Sequence, residues 1–83
     1  EDKVNVVALE QTKDSKNIFK FRPYFPLALV VGNEVRGISP KILKYCDQIV
    51  KIPMFGKKES LNVSVATGVA LYQLIKPRPN LIR

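Results

Sequence analysis

Few side chains in this 83-residue sequence could carry chemistry. There is no His and a single Cys, Cys46, so neither a Cys/His zinc site nor a His-dependent dyad can be assembled. Cys46 reads as a small core hydrophobe. A lone thiol forms no internal disulfide, which fits reducing surroundings. What remains is a handful of polar residues around two glycine-bearing loops: Glu34 in "GNEVRG" (32–37), and Ser60 and Asn62 at the end of and just after "PMFGKKES" (53–60). Glu34 could pair with a local Arg or accept hydrogen bonds from backbone N–H groups. Ser60 and Asn62 could cap a helix. All three could equally face a ligand. Neither loop matches a phosphate-binding fingerprint, since "GNEVRG" lacks both the Lys-Ser/Thr of a P-loop and the three-glycine dinucleotide pattern. Its two glycines are what a turn requiring positive φ would use.

The elements that must position these residues read as alternating strands and helices. "VNVVALE" (4–10) and "LALVVG" (27–32) are nearly continuous Val-rich apolar runs, the pattern of strands covered on both faces in a parallel sheet. Between them, "QTKDSKNIFKFRPYFP" is polar, then aromatic and broken by Pro, a crossover with at most a short helical turn. "SPKILKYC" (39–46) predicts a helix with Ser39 as N-cap and Pro40 at the first position, where a missing N–H costs nothing. "QIVKIPM" (48–54) predicts a third strand stopped by Pro53. The run from Ser60 to Ile75 is long enough for a helix, with a polar stripe at Ser60, Ser64 and Thr67. Nearly every other face is apolar, so this helix is expected to be buried almost all round. Its Ala66, Gly68 and Ala70 would permit close backbone approach, and Pro77 and Pro79 end it. The order strand, crossover, strand, helix, strand, helix gives an α/β domain with a small parallel sheet. In such sheets ligands sit at the carboxyl ends of the strands, where both loops fall.

The chain has the size of one domain and buries only a modest core by itself, so a partner chain or a further part of the same chain is expected. An apolar content of 46% is that of a folded protein rather than a disordered tail. No apolar stretch reaches the roughly 20 residues of a membrane span, and the chain reads as soluble. It begins without Met, directly on charged residues, as a piece of something longer would. The net charge of +7, from 14 Lys and Arg against 7 Asp and Glu, produces a field attractive to polyanions. RNA or DNA contact and a merely solvated basic surface are both compatible with it.

Taken together, "LALVVGNEVRGIS", "CDQIVKIPM" and "SLNVSVATGVALYQ" resemble, in order and spacing, the second and third motifs of the SpoU family of RNA 2'-O-ribose methyltransferases. The likeness runs from about Leu27 to Gln73, and residues 1–26 look like the preceding strand and variable connection. It implies the C-terminal portion of an α/β trefoil-knot domain, with S-adenosylmethionine as cofactor, tRNA or rRNA as substrate, a homodimer, a cytoplasmic setting and no metal. It implies that the adenosine contacts the backbone at Gly32, Ile52 and Leu61, and that Met54, Gly56 and Asn62 line the same pocket. Glu34, Ser60 and Asn62 would organise the site or approach the target ribose. The family's first motif, resembling N-x-G-x-x-x-R, has no match in residues 1–26; Arg22 in "FKFRPYF" stands in another context. Two further readings are a noncatalytic RNA-binding or dimerisation module of the same fold, and a fragment of an ordinary doubly wound nucleotide-binding domain.

Overall fold

Strand β1 (Asn5–Leu9) is the axis of the fold. It pairs in parallel with β3 (Leu27–Val31) on one side, Val7 opposite Leu29, and with β4 (Gln48–Lys51) on the other, Leu9 opposite Val50. A two-residue strand, β2 (Lys16–Asn17), adds in parallel to the outer edge of β4, giving the order β2-β4-β1-β3. The computed structural model of the chain describes residues 3–54 and 62–76. The sheet thus has four strands where three were expected. The fourth lies in the polar connection, where two residues leave no apolar periodicity to reveal it.

The near-continuous apolar run of β1 is explained by its central place: Val7 and Ala8, which point to opposite faces, are both fully buried. Helix α2 (Val63–Ile75) covers the Val7 face. Its Ala70 and Leu74 join Val7, Val50 and Ile52, and Leu27 and Leu29 pack at the edge. The crossover contributes Ile18, from a 3-10 turn (Ile18–Lys20), and Phe21 to the same core. The other face is thinner: Ile38 is buried and Val30 and Ile49 are half-buried, while Ala28 is exposed.

Helix α1 (Pro40–Leu43) starts as predicted, with the Ile42 N–H donating to Ser39 Oγ at 3.2 Å and Pro40 in the first turn. It is a single turn rather than a helix through Cys46. Tyr45 and Cys46 donate to the carbonyls three residues back, at 2.9 and 3.1 Å, and this tightening ends the helix. Asp47 then returns the chain to the sheet: its N–H donates to the Val6 carbonyl at 2.7 Å and its Oδ2 accepts from the Val6 N–H at 2.8 Å. Strand β4 stops at Lys51, two residues before Pro53, and beyond it the Ile52 carbonyl accepts from the Gln11 side chain, Nε2 to O 2.8 Å.

Of the two cap candidates for the last helix Asn62 is found in place, and the expected burial is corrected. Its N-cap is Asn62, whose Oδ1 accepts from the Ser64 N–H at 2.9 Å; Ser60 lies outside the described residues. Among the described residues the helix is not buried all round: of its side chains only Ala70 and Leu74 are buried, and Val65, Leu71, Tyr72 and Ile75 are exposed. One sheet face accepts one stripe of a helix, here Ala66, Ala70 and Leu74 at a spacing of four. A Cβ added at Gly68 would meet nothing within 4 Å, so the close approach expected there does not occur among the described residues. Among the described residues, no helix is long and apolar enough to cross a membrane.

Candidate functional site

The carboxyl ends of β1, β3 and β4 open together into a cleft of about 520 Å³, closed on one side by the first turns of α2. Pockets that hold small molecules commonly fall between roughly 300 and 1,000 Å³. Its apolar wall comes from Leu9, Ile52, Met54, Val63 and Ala66, and its polar rim includes Glu10, Glu34, Arg36, Lys51 and Asn62.

The loop after β3 is shaped by its own side chains. Asn33 Oδ1 accepts from the N–H groups of Val35 at 2.7 Å and Arg36 at 2.9 Å, and the Gly37 N–H donates to the Asn33 carbonyl at 2.9 Å. These bonds fold the loop back onto its start. Gly37 closes it with φ +69°, a conformation that favours glycine. Gly32 is required for another reason: a Cβ there would lie 2.3 Å from the Gly37 carbonyl carbon and 2.5 Å from the Ile38 nitrogen. The sequence-based reading of the two glycines as a positive-φ turn therefore holds for Gly37, whereas Gly32 serves close backbone approach.

The chain leaving β1 is fixed with similar economy. The Glu10 N–H donates to the Val50 carbonyl at 2.9 Å, and the Glu10 carbonyl accepts from the buried Ser15 hydroxyl at 2.6 Å. Ser15 Oγ in turn accepts from the Thr12 N–H at 3.0 Å. The Glu10 carboxylate comes to lie against Gly37, and the Gln11 amide holds the Ile52 carbonyl. Two of the three strand ends are thereby tied at the cleft floor.

Five of the residues singled out in the sequence, Gly32, Glu34, Ile52, Met54 and Asn62, line this one cleft. Ile52 is almost fully buried and belongs to the core as well as to the cleft wall. Gly56, Ser60 and Leu61 lie outside the described residues. The sequence reading passed over Glu10, Gln11 and Asn33. The signal for the first two is that they directly follow a parallel strand, although no glycine marks that strand end as it does the other two. Thr67 also lines the cleft; its hydroxyl donates to the Val63 carbonyl at 2.7 Å. Cys46 stands apart from the cleft, and burial, followed by the neighbouring Asp47 charge, pushes its thiol pKa above the ordinary value. Among the described residues no cluster of three His, Cys, Asp or Glu could hold a metal ion. An apolar wall, tied backbone and a mixed-charge rim suit the binding and orientation of an amphipathic small molecule.

Comparison with known proteins places this geometry. The sequence model of the SpoU rRNA Methylase family matches residues 1–72. A tRNA (guanosine(18)-2'-O)-methyltransferase of Aquifex aeolicus is 45% identical over 73 residues, 88% of this chain and 35% of the relative. The 23S rRNA (guanosine-2'-O-)-methyltransferase RlmB of Haemophilus influenzae is 44% identical over 64 residues, 77% of this chain and 26% of the relative. The crystal structure of the A. aeolicus TrmH/SpoU tRNA modifying enzyme aligns with a TM-score of 0.77 at 45% identity, over 86% of this chain and 36% of that one. The SpoU methyltransferase AviRb of Streptomyces viridochromogenes, solved with the cofactor AdoMet, gives 0.79 at 31% identity, over 89% of this chain and 29% of that one. The chain spans about a third of the length of these relatives. By motif, by sequence and by fold, it belongs to the SpoU rRNA Methylase family.

Proposed function

We propose that the chain is the C-terminal, cofactor-holding portion of an S-adenosylmethionine-dependent RNA 2'-O-ribose methyltransferase acting on tRNA or rRNA. The observation that carries the reading is the convergence of Gly32, Glu34, Ile52, Met54 and Asn62 on one cleft in a chain of this family. The cleft's volume and apolar wall fit the cofactor, and the tied floor fits a role in holding it still.

When bound, S-adenosylmethionine supplies a methyl group on a sulfonium, ready for in-line displacement. This chain's own contribution is then positioning, which alone can lower a barrier substantially. In this reading the backbone at Gly32, Ile52 and Leu61 holds the adenosine, and Met54, Gly56 and Asn62 shape the pocket around it. Glu34, Ser60 and Asn62 orient the target ribose. A 2'-hydroxyl is a weak acid whose proton some group must take or share. With no His present and no match to the family's first-motif Arg, that step is assigned to a residue outside this sequence. A homodimer is part of the proposal, supported by the apolar residues that α2 leaves exposed, as is a cytoplasmic setting, in keeping with the RNA substrate.

The test uses the full-length protein. Calorimetry should detect S-adenosylmethionine binding, and Ile52→Pro, which alters the backbone at the cleft, should abolish it. Labelled cofactor should methylate bulk tRNA or rRNA at a ribose 2'-oxygen. A folded protein that binds no cofactor at millimolar concentration refutes the proposal, and binding without turnover selects the noncatalytic module instead.

A further inference from the structure

The aromatic and basic crossover between β2 and β3 is not used by the cofactor cleft, and its composition is distinctive. From Ser15 to Asn33 there is no acidic residue, while "IFKFRPYF" interleaves aromatic rings with Lys20 and Arg22. The fold sorts these side chains by role. Ile18 and Phe21 turn inward and pack in the core. Phe19, Tyr24 and Phe25 remain exposed at 51%, 70% and 37%, and Lys20 and Arg22 are exposed between them. Burying the rings would have been the default for a soluble surface, so an exposed run of this kind marks a contact.

The path of the segment matters as much as its composition. β2 pairs with β4 at Val50 and Lys51, and Lys51 lines the cofactor cleft. β3 begins opposite Asn5, at the other end of the sheet. The crossover therefore runs from beside the cleft to the amino ends of the strands. There Tyr24 and Phe25 line a second hollow of about 500 Å³ together with Lys3. Asp47 also lines it, but one of its carboxylate oxygens already accepts from the Val6 N–H. The five residues of β1 separate the two ends by about 16 Å, a span of several unpaired nucleotides.

We propose that Phe19, Tyr24 and Phe25, with Lys3, Lys20 and Arg22, form a second RNA contact that holds unpaired nucleotides flanking the one in the cleft. Exposed rings stack on base faces, and cations between them meet the phosphates. Base faces are available in single strands, loops and bulges but not inside an A-form duplex, so the occupant is an unpaired segment. The inference rests on the RNA methyltransferase reading and adds to it the surface and the form of RNA.

The experiment measures anisotropy of full-length protein with a labelled single-stranded RNA of about 12 nucleotides, within the usual site size for such surfaces, and with a fully paired, blunt-ended duplex of the same length. Tyr24→Leu and Phe19→Leu keep apolar bulk but remove the stacking face. Each should weaken single-strand binding by roughly 5- to 150-fold, leave duplex and S-adenosylmethionine binding nearly unchanged, and be rescued at position 24 by Tyr24→Phe. Lys20→Ala and Arg22→Ala should each flatten the log–log salt dependence by about 0.7. Photocrosslinking of 4-thiouridine RNA to the unsubstituted protein should label the peptide that carries Tyr24 and Phe25, a readout that survives even if a Leu variant fails to fold. If the unsubstituted protein binds RNA but the crosslinks fall elsewhere and the Leu variants match it, the contact is overturned while the proposed function stands. If the unsubstituted protein binds no RNA, both proposals fail.

Discussion

Adding one methyl group at Gly32 should damage the cleft more than the same change at Gly37, although Gly37 is the residue with positive φ. At Gly32 the new Cβ would approach the Gly37 carbonyl carbon to 2.3 Å, about 0.7 Å short of the 3.0 Å below which real Cβ contacts are essentially never found. Its neighbours are backbone atoms of a loop closed by three hydrogen bonds through Asn33, so nothing can swing aside and the loop has to shift as a unit. Overpacking of this kind costs about 3 kcal/mol or more. A shift approaching 1 Å in a positioned site can lower rate on the order of 100-fold. At Gly37 the obstacle is the Glu10 carboxylate, at 2.5 Å, which is the far end of a flexible side chain. The cost there is mainly the left-handed backbone, about 1–2 kcal/mol. Urea unfolding of Gly32→Ala and Gly37→Ala in the full-length protein, with calorimetry of S-adenosylmethionine binding, gives both quantities. Combining Glu10→Ala with Gly37→Ala should recover part of the loss, with a coupling of about 0.5 kcal/mol or more, and should recover nothing with Gly32→Ala. A Gly32→Ala protein as stable and as competent in binding as Gly37→Ala would refute the reasoning.

Other substitutions probe the elements around the cleft. Asn62→Ala should destabilise by about 1 kcal/mol through loss of the cap on Ser64, whereas Asn62→Asp keeps an acceptor at the helix start and should retain stability, so any loss of cofactor binding in the Asp variant reports a ligand contact; thermal melts and calorimetry separate the two. Leu74→Ala removes a fully buried side chain and should cost about 2–5 kcal/mol in urea unfolding. Gly68→Ala should stabilise by roughly 0.5–1 kcal/mol if that helix face stays open. Destabilisation, with a change in sedimentation, would instead reveal a chain packed against it. Cys46 should alkylate slowly near neutral pH, because a raised pKa keeps the thiol protonated. The same shift means that the unfolded chain's thiol ionises first, so stability should fall as pH rises through the ordinary thiol range near 9, measurable as a decline absent in Cys46→Ala.

What the sequence determined by itself was the order of the principal elements, the two-residue β2 excepted, and the side-chain chemistry that these residues can offer. Val-rich continuous runs specified parallel strands, and the Ser39-Pro40 pair specified where α1 starts, while these 83 residues contain no His to act as an acid or base. The ordered motifs around Gly32, Ile52 and Asn62 were sufficient to point to the family, because local residue types and spacing survive in a sequence without any knowledge of packing. The cleft was legible only in part. That Gly32 and Gly37 serve different ends depends on two loop ends meeting across five residues. The part played by Gln11 depends on its amide reaching a carbonyl 41 positions away. The last helix shows the same division: its apolar content is written in the sequence, but which stripe is buried was decided by the single sheet face available to Ala66, Ala70 and Leu74. Periodicity reports contacts within an element, whereas bonds between distant strand ends and the choice among apolar faces arise only when the sheet brings those groups together.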